Sequence, residues 1–329
     1  MGKMEVAIVG AGGYTGVELI KILLNHPYFE IGALFGTQPG ELNQLYPGLE
    51  GVANLKIEEA DIDKISQFPL VFLAVPHKTA MGYVIHLRKR GVKVVDFSAD
   101  YRLKRENYEK FYCPHIDPTN LKKSAYGLPE LFRKEIVGAE LVANPGCYPT
   151  ATLLGLFPFL PYIDQTQGVF VDAKSGVSGA GKKVTETTQF VNVDENFFPY
   201  NPIRHRHSIE IEEKSGVKVT FVPHLMPVNR GMEVSIYAQL KDEVEPLPIL
   251  ESFYADEPFV RVFPHPVSIK QVNGTHFCDI FAMTNGTHLY VNVVIDNLLR
   301  GASSQAVANG NLIAGFPEDA GLPKLPFLI

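Results

Sequence analysis

Glu5-Val-Ala-Ile-Val-Gly-Ala-Gly-Gly-Tyr-Thr-Gly16 runs from a short β-branched stretch into a glycine-rich turn. Val17-Glu-Leu-Ile-Lys-Ile-Leu-Leu24 comes next, with apolar residues 17, 20, 23 and 24 on one helical face. Strand, tight turn and helix in that order make the opening of a nucleotide-binding βαβ unit. The glycines let the backbone approach a pyrophosphate, and the helix N-terminus presents free N–H groups to the anion. Gly10, Gly13 and Gly16 are spaced G-x-x-G-x-x-G rather than G-x-G-x-x-G, and a tight turn without a ligand is the competing reading. The strand before and the helix after favour the nucleotide.

Downstream, Asn25-His26-Pro27 stops the helix, and buried-strand candidates recur at 31–35, 70–75, 92–97 and 139–143. A helix ending in Arg88-Lys89-Arg90 lies between the second and third of these, its cations placed where the helix dipole favours them. Alternation of this kind predicts a Rossmann-type, doubly wound parallel sheet. Beyond about residue 165 the pattern changes. Met232–Leu240 alternates apolar and polar residues, and Asn273-Gly274 and Asn285-Gly286 separate the runs 267–272, 275–284 and 287–295. Asn-Gly is a strong hairpin signal, so an α+β domain with a mainly antiparallel meander is expected. Residues 297–313 return to helical spacing, which suggests a terminal helix packing back on the first domain. The expected division is 1–147 with 297–329 as the nucleotide-binding domain, and 148–296 as the substrate, catalytic and oligomerisation domain.

The 329 residues fit two domains, and 46% hydrophobic against 20% charged residues excludes disordered, collagen-like and coiled-coil classes. A net charge of −6 without a long basic block argues against nucleic acid as a partner, and no apolar run is long enough for a membrane helix. A small ligand and a cytoplasmic location are expected. Cys113, Cys147 and Cys278 are an odd number without C-x-x-C spacing, which points away from disulfides and cysteine-based zinc sites.

Several residues suit chemistry. The second strand ends at Gly36-Thr37-Gln38 with no acidic residue to hold a ribose 2′-hydroxyl, so NADP(H) is expected over NAD, with Thr37 and backbone N–H groups receiving the 2′-phosphate. Cys147 follows Asn144-Pro145-Gly146 and precedes Pro149, which puts its thiol at a helix N-terminus where a thiolate is stabilised. Cys278 reads as a buried strand residue, and Cys113, near His115, is a weaker rival. His205-Arg-His207-Ser-Ile-Glu210 supplies imidazoles for proton transfer, with Glu210 one helical turn beyond His207 and able to orient it. A zinc site built on the same histidines is the lesser alternative. Ser175–Lys183 resembles a P-loop but has Lys183 where Ser or Thr is required, so it reads as a loop of backbone donors rather than an ATPase motif. Arg102, in Asp96-Phe-Ser-Ala-Asp-Tyr-Arg102 at the carboxyl end of a strand, could fork onto a phosphate or carboxylate or form an ordinary salt bridge.

Together with Phe221–Gly231 and Asp296-Asn297-Leu298, these motifs resemble the N-acetyl-gamma-glutamyl-phosphate reductases, relatives of aspartate-semialdehyde dehydrogenase. Two departures are Lys78, where that family usually has Gly, and Ile209, where it usually has Pro. The resemblance implies NADPH-dependent reduction of an acyl phosphate to a semialdehyde, through a Cys147 thioester, in arginine biosynthesis. It further implies catalytic roles for Cys147, His207, His205 and Glu210. Cofactor contacts would come from Gly10, Gly12, Gly13, Tyr14, Thr15, Gly16, Thr37, Pro76, His77, Ser98, Gly179 and Asn297, and substrate contacts from Arg102, Ser178, Lys182 and Arg206. No metal is implied, and a homodimer or homotetramer is. An aminoadipyl or aspartyl phosphate as substrate, and a non-catalytic NADP-binding regulator, are the alternative readings.

Overall fold

Strands buried on both faces read as continuous apolar runs, and Val6–Val9 and Leu70–Leu73 are of this kind, at most 2% exposed. In the computed structural model, which describes residues 2–328, they pair as neighbours in a parallel sheet. The strands of the first unit are β1 (Met4–Val9), β2 (Phe29–Gly36), β3 (Gly40–Glu41), β4 (Lys56–Glu59), β5 (Leu70–Leu73), β6 (Lys93–Asp96), β7 (Ala125–Tyr126) and β8 (Leu141–Ala143). Their order is β3-β4-β2-β1-β5-β6-β8-β7, and only the β3–β4 pair is antiparallel. The turns after β1, β2, β5 and β6 therefore open at one edge of the sheet, where ligands of doubly wound folds sit.

The expected terminal helix is present as Ser304–Ala314 and packs in this unit against the helices Tyr14–Leu23 and Pro129–Ile136. Its buried amides have structural partners. Gln305 and Asn309 donate to the Gly127 carbonyl, and Asn311 donates to those of Glu318 and Ala320.

The second unit contains β9 (Val169–Gly176), β10 (Phe198–Pro199), β11 (Val219–Met226), β12 (Met232–Gln239), β13 (Val260–Val262), β14 (Cys278–Asn285) and β15 (His288–Ile295), ordered β10-β11-β9-β12-β15-β14-β13. The Asn285-Gly286 turn closes the β14–β15 hairpin as its sequence predicts. Asn273-Gly274 does not close a hairpin. The run before it forms a 3-10 helix, Ile269–Gln271, because Ser268 and Gln271 make a reciprocal capping box while Val267 and Val272 turn inward against Phe281 and Val294. The sheet is accordingly mixed rather than a simple meander, with β9–β11 and β13–β14 parallel.

One face of this sheet carries Val171, Ala173, Val234, Ile236, Val291 and Val293, and the helix Cys147–Leu156 packs against β12 and β15. Every residue of that helix except Cys147 is buried. Gly155 allows the close approach: a Cβ there would stand 2.6 Å from Val293 Cγ2 and 2.9 Å from Ile236 Cδ1. The opposite face bears a lateral row in register, Phe170, Tyr237, Tyr290 and Met283.

Packing divides the chain after Pro145, after Gly301 and after Leu322. The first unit runs to Pro145 and resumes at Ala302–Leu322, and the second is Gly146–Gly301 with residues 323–328. Cys147, residues 297–301 and residues 323–328 thus pack with the second unit rather than the first.

Gly155→Leu is expected to lower stability by about 1–3 kcal/mol through overpacking against β12 and β15. Urea denaturation followed by far-ultraviolet circular dichroism checks this.

Candidate active site

Cys147 is the first residue of its helix, and Gly146 caps it with extended backbone and no side-chain cap. The first turn has no acidic residue, so the positive end of the helix dipole faces the half-buried thiol. Glu210, 1% exposed, lies in the helix His207–Ser215 and its Oε1 accepts the Gly146 N–H at 2.9 Å. The carboxylate expected to orient His207 holds the start of the cysteine helix through this bond. Ile209 sits in the first turn of its helix, where the backbone N–H lacks an intrahelical partner and either Ile or the family's usual Pro is accommodated.

His205 packs among rings. Its centroid is 4.7 Å from that of His207, 5.8 Å from Tyr148, 5.5 Å from Tyr200 and 5.5 Å from Phe221. Burial, with the Arg206 charge adjacent, pulls its pKa down to about 4. Its Nδ1 accepts the His207 N–H at 3.2 Å, so the neutral ring carries its proton on Nε2 and is a hydrogen-bond donor near neutral pH. Sequence reasoning missed Tyr148 and Tyr200. The Tyr200 hydroxyl donates to that of Tyr148 at 3.1 Å, which donates to the His224 carbonyl at 3.3 Å. Burial raises both phenols, so both stay protonated. Tyr148 was adjacent to the cysteine in sequence. Tyr200 lies in an irregular stretch with no periodic signal, beside Asn201 and Ile203 at positive φ.

In the first unit, the glycines of the opening turn do different work. Gly10, at φ +90°, lies so close to β5 that a Cβ would run into the Ala74 carbonyl, and a Cβ on Gly16 would lie 2.5 Å from the Gly10 oxygen. Gly10 and Ala11 donate to the Phe35 carbonyl at 2.8 and 3.1 Å. Gly13 caps the helix Tyr14–Leu23 and has no neighbour closer than 3.6 Å to an added Cβ. The first intrahelical bond runs from Val17 N–H to Gly13 O, leaving the Tyr14, Thr15 and Gly16 amides at the open end of a helix with no acid in its first turn. This cradle fits a dinucleotide pyrophosphate. Exposed Thr37 follows β2 directly.

Residues 5–139 match the family described as semialdehyde dehydrogenase, NAD binding domain, and residues 147–297 match semialdehyde dehydrogenase, dimerisation domain. An N-acetyl-gamma-glutamyl-phosphate reductase of Sulfurovum sp. (strain NBC37-1) is 53% identical over 99% of each chain, and one of Wolinella succinogenes is likewise 53% identical over 99% of each. This chain belongs to the N-acetyl-gamma-glutamyl-phosphate reductase family. Solved structures share its fold. Aspartate semialdehyde dehydrogenase II complexed with ASA from Vibrio cholerae superposes with a TM-score of 0.74 at 15% identity, covering 96% of this chain and 99% of that one. Aspartate semialdehyde dehydrogenase with NADP from Candida albicans gives 0.69 at 14% identity, covering 95% and 98%.

The reductase-like chain uses other expected site residues to build its loops. His77 Nδ1 accepts the Ala99 N–H at 2.9 Å, and Pro76 beside it is exposed. Lys78 adopts φ +73°, which accounts for the family's usual glycine there, and Asp100 holds it by accepting the Lys78 and Ala80 amides at 2.7 and 3.1 Å. The Ser98 hydroxyl donates to Asp96 Oδ2 at 2.8 Å and accepts the Asp100 N–H at 3.0 Å. Burial and the neighbouring Asp100 push Asp96 up to about 7. Arg102 is buried, with Nε on the Asn144 carbonyl and Nη2 on the Phe97 carbonyl, both at 2.7 Å, so these donors brace strand ends rather than a ligand.

Asn297, Gly179 and Ser178 group together in the second unit. Asn297 Nδ2 donates to Ser178 Oγ at 3.0 Å, its Oδ1 accepts the Gly231 N–H at 2.7 Å, and a Cβ on Gly179 would approach Ser175 Oγ at 2.9 Å. Lys182 and Arg206 are exposed. Cys278 is fully buried, and Cys113 lies 3.6 Å from the Tyr108 hydroxyl. Among the described residues, no group of three or more His, Cys, Asp or Glu is placed to hold a metal, and no helix is long and apolar enough to cross a membrane.

His205 also sets a pH dependence. The unfolded chain protonates it near 6.5 and the folded chain only at about 4, so the unfolded state binds the extra proton in between. The associated stability is fully present above pH 6.5 and is lost as pH falls toward 4, by up to about 3 kcal/mol. Urea denaturation across that window is expected to show a flatter acid decline for His205→Gln than for the native chain; parallel declines would contradict the assignment.

Proposed function

We propose that this chain reduces N-acetyl-gamma-glutamyl phosphate to N-acetylglutamate semialdehyde and phosphate with NADPH, through a thioester on Cys147, in arginine biosynthesis. The carrying observation is the half-buried Cys147 thiol on a helix N-terminus without a side-chain cap, in a unit that also holds a neutral, ring-packed His205. The names of relatives 53% identical over nearly the whole chain supply the substrate.

Cys147 Sγ attacks the acyl carbon, the carbon–oxygen bond to phosphate breaks, and phosphate departs with the electron pair. His207 takes the thiol proton and returns it to the leaving phosphate. His205, kept neutral, donates through Nε2–H to the acyl oxygen, and the Cys147 N–H is a second donor for that oxygen. NADPH, when bound, supplies the hydride that brings the thioester to the aldehyde level. The carbon–sulfur bond then breaks, releasing the semialdehyde and restoring the thiolate. Gly12, Gly13, Tyr14 and Thr15 would hold the cofactor pyrophosphate and Thr37 its 2′-phosphate. Ser178, Lys182 and Arg206 are the substrate-side residues.

The matched dimerisation domain and the row of Phe170, Tyr237 and Met283, 45–53% exposed, support a homodimer or homotetramer built on the open sheet face. We place its action in the cytoplasm.

With N-acetylglutamate semialdehyde, phosphate and NADP, reduced nicotinamide is expected to accumulate; comparable rates with the aspartate and aminoadipate semialdehydes would overturn the substrate assignment. Cys147→Ser is expected to bind NADPH with unchanged Kd and to lose turnover essentially completely, whereas retained turnover would remove the thioester. Fluorescence titration should give a lower Kd for NADPH than for NADH, and equal values would remove the reading of the β2 terminus. Tyr237→Asp is expected to shift the chain toward a monomer in light scattering.

A further inference from the structure

The chain leaves β15 through a π-helical turn, Leu299–Ser303, in which Gly301 N–H reaches back five residues to the Asp296 carbonyl at 2.9 Å. Such turns are rare and recur at functional sites. Asp296 anchors this one. Its fully buried carboxylate accepts the Leu298 and Leu299 amides on Oδ1 at 2.9 and 3.1 Å, and the Gly274 amide and Arg230 Nη1 on Oδ2 at 2.8 and 3.2 Å. Four donors on one carboxylate fix where the turn begins. The extra residue in the turn then presents Gly301, the position without a side chain, to Cys147. A Cβ on Gly301 would stand 2.7 Å from Cys147 Cβ and 3.2 Å from its Cα, with Ile295 Cδ1 at 3.5 Å beyond.

We propose that Gly301 is a positioning residue for Cys147, the π-turn serving as the bare wall that keeps the cysteine backbone at the first position of its helix. The inference rests on Cys147 being the nucleophile. Its physical content is that thiolate stabilisation by a helix terminus falls off within one turn, so a displacement of the Cys147 backbone weakens it. Contact occurs at Cα and Cβ, neither of which can rotate out of the way as a long side chain can. Gly146, the residue before the cysteine, is itself held by Glu210 through its N–H.

The test is Gly301→Ala in the full chain, read by the pH dependence of iodoacetamide alkylation at Cys147, with Cys147→Ser supplying the background from the other thiols. The expected result is alkylation at neutral pH slowed about tenfold, with its midpoint moved to higher pH. kcat is expected to fall by a similar factor, with KM for the semialdehyde and Kd for NADPH within twofold of the native values. A folded Gly301→Ala chain whose alkylation profile and kcat match the native ones would overturn the proposal. Should this variant fail to fold, the same substitution in a Cys147→Gly background decides. Restored folding there assigns the clash to Cys147, and failure there too overturns the proposal. The underlying reading fails separately, if Cys147→Ser retains turnover.

Discussion

One buried hydrogen bond, from the Gly146 N–H to the Glu210 carboxylate, ties together the two helices of the second unit that carry the proposed nucleophile and its proton carrier. It joins the beginning of the helix Cys147–Leu156 to the helix that starts at His207, so the helices that begin with the thiol and with the His207 imidazole are tied by one contact. A charge-assisted bond of this kind is worth about 1.5–3 kcal/mol, and breaking it would strand a carboxylate that is 1% exposed. Such a group tolerates little movement, which makes it a good anchor for a nucleophile. The rest of the helix adds rigidity, because its remaining residues are buried and Gly155 seats it directly on β12 and β15.

The nucleotide half obeys a related constraint. Its loops are held by short-range backbone contacts that leave specific amides exposed to a ligand. Gly10 and Gly16 are consumed by close packing against Ala74 and Gly10, while Gly13 and the Tyr14 and Thr15 amides form the open cradle. Asp100 organises the neighbouring turn by holding Lys78 in a left-handed conformation that a glycine would take without strain. Ser98 and Arg102, polar residues at the same sheet edge, are engaged in bracing that edge. Polar residues at a ligand-facing edge therefore divide into those that build the loops and those left to meet a ligand, a division that residue type does not reveal.

Much of the architecture was legible because local pattern and tertiary burial agree. The β1 turn, the β12 alternation and the Asn285-Gly286 hairpin each have a periodicity or a backbone demand that survives without knowledge of the partner strand. Asn273-Gly274 carries the same dipeptide but ends differently. The residues before it can satisfy their own backbone by a capping box, and Gly274 donates to Asp296, twenty-two positions away. A dipeptide specifies a turn; whether that turn joins two paired strands depends on which distant acceptor captures its amide.

By itself the sequence determined the βαβ opening, the two-domain α/β and α+β composition, and the chemical identity of the thiol, imidazoles and carboxylate, because these are set by periodicity, turn residues and spacing within a few positions. Only the tertiary structure decided that His205 stays neutral, that Glu210 reaches back to Gly146, that Tyr148 and Tyr200 pair, and that a π-turn brings Gly301 against Cys147. Each of these is set by desolvation or by contact between segments tens to more than a hundred residues apart, and neither quantity is carried by a local stretch of chain.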